Sequence, residues 1–221
     1  MNAVLHDLDL GDLRRVTPID AQPGGGRGKP IDRHYIEHFL AAHASDIQGH
    51  VLEVTDDVYT RRFGGARVQR SDVVHALSGN PKATYVADLA DAPDIPSDTF
   101  DCFICTQTLT YIYSVQSAMA EIRRILKPGG VLLATVPGIT QISPYDRDRW
   151  GEYWRFTTQS MRRLLSDSFP LEQISVQTYG NVLASTALLQ GLAVEDLRHD
   201  ELAHCDQRYE LVIAGRAVKP A

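Results

Sequence analysis

Three carboxylates stand where short apolar runs end. Glu53 closes the run Val51-Leu52-Glu53-Val54, Asp72 follows nineteen residues later near the end of the run 66–73, and Asp88 ends the run 83–89. A carboxylate can accept from both hydroxyls of a ribose, and an acid about 20 residues beyond the first strand does so in dinucleotide folds. Asp88 is placed to accept from an adenine amino group. Any one of these acids alone is explained as well by a solvated strand end or a helix cap. Three in the same register point to a nucleoside site.

The elements that must position them alternate. A helical pattern begins at Asp32, with Ile36, Phe39, Leu40 and Ile47 near helical spacing and Gly49 ending the run. Strands are expected at 51–54, 66–73, 83–89, 99–107 and 131–137. They are short and rich in Val, Ile and Leu, as strands covered on both faces are. Between the last two lies the clearest helix, with Val115, Ala118, Met119, Ile122, Ile125 and Leu126 on one stripe and Glu121, Arg123 and Arg124 facing away. Ser114 is expected to cap it, and Lys127-Pro128-Gly129-Gly130 to end it. Strand, helix, strand in this order forms a right-handed parallel crossover. A second amphipathic helix starts near Thr158, followed by a strand at 171–179, a helix at 181–192 and a terminal strand at 209–218 that suits antiparallel pairing. The order predicts a doubly wound α/β domain over 31–221, preceded by a flexible lead-in, 1–30. Ligands of such sheets bind beyond the carboxyl ends of the strands, at the point where strand order reverses.

Bulk properties narrow the partners. The chain has 221 residues, 43% apolar and 23% charged, with a formal net charge of −6. That suits one well-buried domain and disfavours a nucleic-acid backbone as ligand. No apolar run approaches the roughly 20 residues of a membrane span. His6, Asp7, Asp9 and Asp12 do not form a signal sequence. Three cysteines make no disulfide framework, so a cytoplasmic location is expected. Cys102 and Cys105 form C-x-x-C inside a strand, where residues three apart face opposite sides, so a redox or metal role is disfavoured. Gly28-Lys29 is no P-loop: no strand precedes it and Pro30 stands where Ser or Thr is needed.

The stretch 51–137 resembles the core of class I S-adenosylmethionine (SAM)-dependent methyltransferases of the type 11 kind. The match rests on Phe100-Asp101-Cys102-Phe103-Ile104-Cys105, then Leu109 and Tyr111, then Ala120-Glu121-Ile122-Arg123-Arg124-Ile125-Leu126-Lys127-Pro128-Gly129-Gly130. Tyr153-Trp154-Arg155-Phe156-Thr157 and the helix after it are similar to a bacterial subset tied to glycan or secondary-metabolite pathways. The resemblance implies a Rossmann-like sheet of seven strands with the last antiparallel, and SAM as cofactor. One departure stands out. The family's acid-x-Gly-x-Gly-x-Gly reads Glu53-Val54-Thr55-Asp56-Asp57-Val58-Tyr59 here. Thr and Tyr rarely adopt positive φ, so the loop is expected to take another path and rejoin the family at Phe63-Gly64-Gly65.

On this reading the cofactor is held by Glu53, Thr55, Asp56, Tyr59, Arg61, Asp72 with Val73, Asp88 with Leu89, Thr106, Gln107 and Tyr35. Arg33 and Arg62 are further donors for the methionine carboxylate. Tyr111, Tyr145, Asp146 and His75 are the candidates for acceptor wall or base, and the segment 138–150 for acceptor binding. No metal is assigned, since the pair Asp56-Asp57 is weak ground for one. The acceptor implied is a small molecule, a sugar or secondary-metabolite hydroxyl, and the apolar segment 182–192 is compatible with a homodimer. The altered first motif leaves open a protein that uses bound SAM for a cyclisation or rearrangement, or a non-catalytic partner of a glycan-pathway enzyme.

Overall fold

The computed structural model describes residues 10–22 and 25–221. His6, Asp7, Asp9 and the pair Pro23-Gly24 lie outside them. A seven-stranded sheet runs through the domain in the order β3-β2-β1-β4-β5-β7-β6. Its strands are β1 (Gly49–Val54), β2 (Val68–His75), β3 (Tyr85–Val86), β4 (Phe100–Thr106), β5 (Leu126–Pro137), β6 (Ile174–Tyr179) and β7 (Val212–Val218). β1 to β5 pair in parallel, and β7 runs antiparallel to both β5 and β6. The expected architecture is the observed one.

Apolar periodicity assigns the helices to faces. α2 (Val115–Ile125) buries Val115, Ala118, Met119, Ile122 and Ile125, and α4 (Thr158–Ser166) buries Met161, Leu164 and Leu165. Both pack with Leu52, Phe100 and Phe103 in one core. On the other face α1 (Ile31–Ala42) and α5 (Val182–Leu189) cover Val51, Ile104 and Leu133. Short helices α3 (Pro144–Trp150) and α6 (His199–Ala203) complete the set. Ser114 occupies the N-cap of α2, but its side chain makes no capping hydrogen bond. Thr157 and Ser160 cap α4 reciprocally, each side chain accepting the other's backbone N–H. Glu121 and Arg124 do not simply face water: the Arg124 guanidinium donates to Ile95 O and Ala92 O at 2.8 Å and so pins the loop before β4 to α2.

The end of the 1–30 segment is tied to the domain. Arg27 forms a bidentate pair with Asp196, Lys29 pairs with Glu37, and Pro30 bridges to Ala193. This fixes where α1 starts.

Cys102 and Cys105 are both fully buried on opposite faces of β4, one in each core. Burial pushes the Cys105 thiol up to about 12 and the Cys102 thiol further. Neither is nucleophilic at neutral pH. A thiol titration of the native protein is expected to find Cys205 alone reactive and to find all three cysteines once the chain is unfolded. Reaction of Cys102 or Cys105 in the native state would contradict the burial.

Candidate active site

Strand order reverses between β1 and β4. The residue after each strand is held in the left-handed region although neither is glycine: Thr55 has φ 74° and Gln107 has φ 51°. Thr55 N–H donates to Val74 O at 2.9 Å, and Asn80 Nδ2 donates to Thr55 O at 2.7 Å. Gln107 N–H donates to Thr135 O at 2.7 Å. Such conformations cost ~1–3 kcal/mol each and persist where surrounding bonds over-determine them. The expectation that threonine would divert the loop is therefore corrected. Thr55 adopts the positive φ a glycine would take, and a π-helical turn, Thr60–Gly64, follows. Because Thr55 is exposed and packs little, Thr55→Gly is expected to relieve the strain and raise stability by ~1 kcal/mol after glycine's entropy cost. Chemical denaturation measures this; a loss of stability would show that the Thr55 side chain holds the loop.

Glu53 is buried and accepts from Tyr59 N–H at 3.2 Å and Thr60 N–H at 2.7 Å. It shapes the loop from within. Burial raises its carboxyl to about 7, against the lowering effect of those hydrogen bonds.

Asp72 is not at a strand end. β2 runs two residues further than expected, so Asp72 pairs with Leu52 in mid-strand. Its carboxylate is buried, bonded to His50 Nε2 at 2.6 Å and paired with Arg70 at 3.1 Å. A carboxylate buried in mid-strand and turned to His50 and Arg70 is not presented to a ribose at the strand ends. His75 closes β2 instead, with Nδ1 bonded to Leu77 O at 2.7 Å and its ring edge-on to Trp150. Val73 is buried on β2 and Leu89 belongs to the core. Asp88 is exposed beyond β3 and accepts from Ala90 N–H.

Tyr35 also proves structural. It is buried on the far side of α1, stacked on Tyr179 and donating to Leu202 O. Arg61 is bound to Asp57, which Lys82 also approaches, and Asp56 accepts from Val58 N–H, so this acidic pair is internally satisfied. Thr106 ends β4, its carbonyl accepting from Thr108 Oγ1.

A cavity of about 350 Å³ opens beyond β4 and β5. Gln107, Thr110 and Tyr111 wall it after β4, Ile139, Gln141 and Asp146 after β5, and Asp32 and Arg33 from the first turn of α1. Arg33 Nη1 donates to Tyr59 Oη at 3.1 Å, which joins the cavity to the loop after β1. Tyr111 Oη donates to Asp146 at 3.4 Å. Burial, then the Asp146 charge, pushes the Tyr111 phenol up to about 12, so it holds its proton. Of the four residues expected at the acceptor, Tyr111 and Asp146 are brought together here. Tyr145 is 64% exposed with Arg149 over its ring, and His75 lies at β2, so neither lines the cavity.

Two cavity acids had no sequence signal of their own. Asp32 reads as an ordinary first-turn acid of α1, and Glu152 as one charge in a polar segment. In the fold, burial raises the Asp32 carboxyl above the usual carboxylate range, against the lowering effect of Arg33. Glu152 is held by Arg155 and accepts from Ser143 N–H at 3.0 Å. The segment 138–150, expected to bind the acceptor, contributes α3. Ser143 caps it and Pro144 opens it, so Asp146 reaches Tyr111 and Trp150 reaches His75.

Known proteins with this arrangement agree with the geometry. The sequence pattern of a family described as a methyltransferase domain matches residues 33–134. No curated protein matches the sequence significantly. Among solved structures, the [4+2]-cyclase SpnF superposes with a TM-score of 0.56 at 20% identity, covering 92% of this chain and 89% of that one. A SAM-dependent methyltransferase from Archaeoglobus fulgidus gives 0.55 at 10% identity, covering 85% and 94%. A phosphoethanolamine N-methyltransferase 2 of Haemonchus contortus, solved with S-adenosyl-L-methionine, gives 0.51 at 14% identity; it covers 79% of this chain, which spans 49% of it. With its reversal at β1/β4 and its antiparallel β7, the chain has the fold of these class I SAM-dependent methyltransferases, and its segment 33–134 matches the methyltransferase-domain pattern.

Proposed function

We propose that the chain binds SAM across the β1/β4 reversal and transfers its methyl group to a hydroxyl of a sugar or secondary metabolite. The observation that carries this reading is the charge of the cavity: Asp32, Asp146 and Glu152 line it against Arg33. SAM brings a sulfonium and an α-ammonium, both suited to such walls, and one carboxylate for Arg33. A pyrophosphate ligand would meet like charge, at a cost on the order of 1 kcal/mol or more per contact even at an effective dielectric of ~20. NAD and ATP are poorly served.

The residues present fit the cofactor. Thr55 and Gln107 offer backbone at the methionine end, His75 leaves Nε2 for a ribose hydroxyl in place of Asp72, and Asp88 accepts from the adenine amino group. When bound, SAM supplies an electrophilic methyl carbon. Transfer is an in-line displacement, so the chain's task is alignment. Tyr111, its proton directed at Asp146, accepts from a neighbouring hydroxyl of the acceptor and fixes its pose. Asp32 takes the hydroxyl proton; its raised pKa brings the base nearer neutrality, where general-base catalysis is efficient.

The test is a mass-spectrometric assay of purified protein with SAM and a panel of sugar and aglycone acceptors. The expected result is S-adenosylhomocysteine formed in step with a product heavier by one CH₂. A second reading, cyclisation with SAM unconsumed, is favoured by the likeness to SpnF and by the glycine-poor loop. It is distinguished by a product isomeric with its substrate and no S-adenosylhomocysteine.

A further inference from the structure

The rim of the cavity carries an aromatic cluster that the reaction does not use. Tyr113 is 68% exposed, Tyr153 51% and Trp154 36%. Solvent-facing rings in one cluster are uncommon without a ligand. These three are held in place. Tyr113 and Trp154 stack at 5.9 Å with 28° between planes, and Tyr153 meets Tyr113 edge-on at 5.4 Å. The Trp154 indole N–H donates to Ile112 O at 3.1 Å, which fixes the ring. Tyr153 lies against Gly151, whose φ of 77° and missing Cβ make room for the phenol. The cluster is continuous with the cavity wall: Tyr153 N–H donates to Thr110 O at 2.9 Å, Thr110 Oγ1 donates to Trp154 O at 2.6 Å, and Glu152 precedes Tyr153 in the chain.

We propose that Tyr113, Tyr153 and Trp154 form a stacking platform for a sugar ring of an oligosaccharide acceptor, next to the ring that is methylated. This rests on the methyl-transfer reading and adds the acceptor's size. A pyranose presents axial C–H groups on its faces and hydroxyls at its edge. Fixed aromatic faces bury the former, and the polar tips of the tyrosines serve the latter. A second copy of the chain is the weaker occupant, because three side chains fall well short of the roughly 1,000 Å² a stable interface needs.

The experiment is binding of the full-length protein to an array of glycans from one to six rings, repeated with Tyr113→Ala/Tyr153→Ala, with Trp154→Phe and with Gly151→Ala, alongside SAM calorimetry and sedimentation of each. Glycans of two or more rings are expected to bind at least tenfold more tightly than monosaccharides. That advantage is lost in the double variant and weakened in Gly151→Ala and in Trp154→Phe, which removes the bond to Ile112 O, with SAM affinity unchanged throughout. No glycan binding, an equal response to monosaccharides, or affinities indifferent to the platform variants would overturn the proposal. So would a dimer that the double variant dissolves. SAM binding without glycan binding removes the platform and leaves methyl transfer standing; glycan binding without SAM binding does the reverse.

Discussion

Asp32→Asn is expected to lower kcat by ~10²–10⁴-fold, the usual worth of a general base, and to weaken SAM binding by a smaller factor, since Asp32 is one of the acids lining the cavity. Asp32 sits on the first turn of α1 and faces the cavity with Tyr111 and Gln107. Burial outweighs the neighbouring Arg33 and raises its carboxyl. A raised carboxyl is a stronger base than an exposed aspartate. In the wild type, kcat/KM should rise with pH as Asp32 ionises, and that acid limb should vanish in the Asn variant. Asp146→Asn acts one step removed, through Tyr111, and should raise KM more than it lowers kcat. If Asp146→Asn abolished turnover while Asp32→Asn did not, the roles would be exchanged. Equal kcat in wild type and Asp32→Asn would remove Asp32 from the chemistry.

The second large effect concerns Glu53. Its carboxyl is raised from 4.5 to about 7 in the folded chain, by burial. Between those values the unfolded chain has lost this proton and the folded chain keeps it. Stability should therefore fall as pH rises from 4.5 through 7, by an amount on the order of 3 kcal/mol for this group. His34 and His43 act in the opposite direction, because burial lowers their pKa and their contribution is lost as pH falls. The comparison of wild type with Glu53→Gln isolates the carboxyl. Urea titrations from pH 5 to 8 should show the wild-type curve declining relative to the variant. Gln keeps one acceptor for the Tyr59 and Thr60 N–H groups, so a constant offset of ~1–2 kcal/mol is also expected. Parallel curves would show that Glu53 is ionised throughout.

The sheet was legible because its signals are local. Apolar runs such as Val131 to Val136 and the stripe of α2 each specify an element without help from elsewhere, whereas Lys127-Pro128-Gly129-Gly130, expected to end the helix as a turn, lies inside β5, which begins at Leu126. The site was only partly legible, since its failures are non-local. Asp72 lost its expected role because His50, on the neighbouring strand, took its carboxylate. A shift of two residues in the end of β2 moved His75 to the place expected for Asp72. Tyr35 went to the interior because Tyr179 and Leu202 offered it a stack and an acceptor. Asp32 entered the cavity because Arg27, paired with Asp196, and the Lys29 backbone N–H, donating to Glu195, tie down the chain before α1 from far along the sequence. α3 did carry a local signal, Ser143-Pro144 followed by Asp146, but its seven residues hold no apolar period. Thr55 shows that side-chain preference yields to a loop held by bonds from Val74 and Asn80.

The central claim is that an acid-lined cavity beyond β4 and β5, joined through Arg33 and Tyr59 to the loop after β1, holds a cationic nucleoside. Calorimetric titration of the purified protein with SAM, and separately with ATP, tests it most directly. Saturable one-site binding of SAM, weakened ~10–100-fold by Arg33→Ala through loss of a charge-assisted hydrogen bond, with no heat from ATP, is the result expected. No binding of SAM, or ATP binding as tightly as SAM, would contradict it.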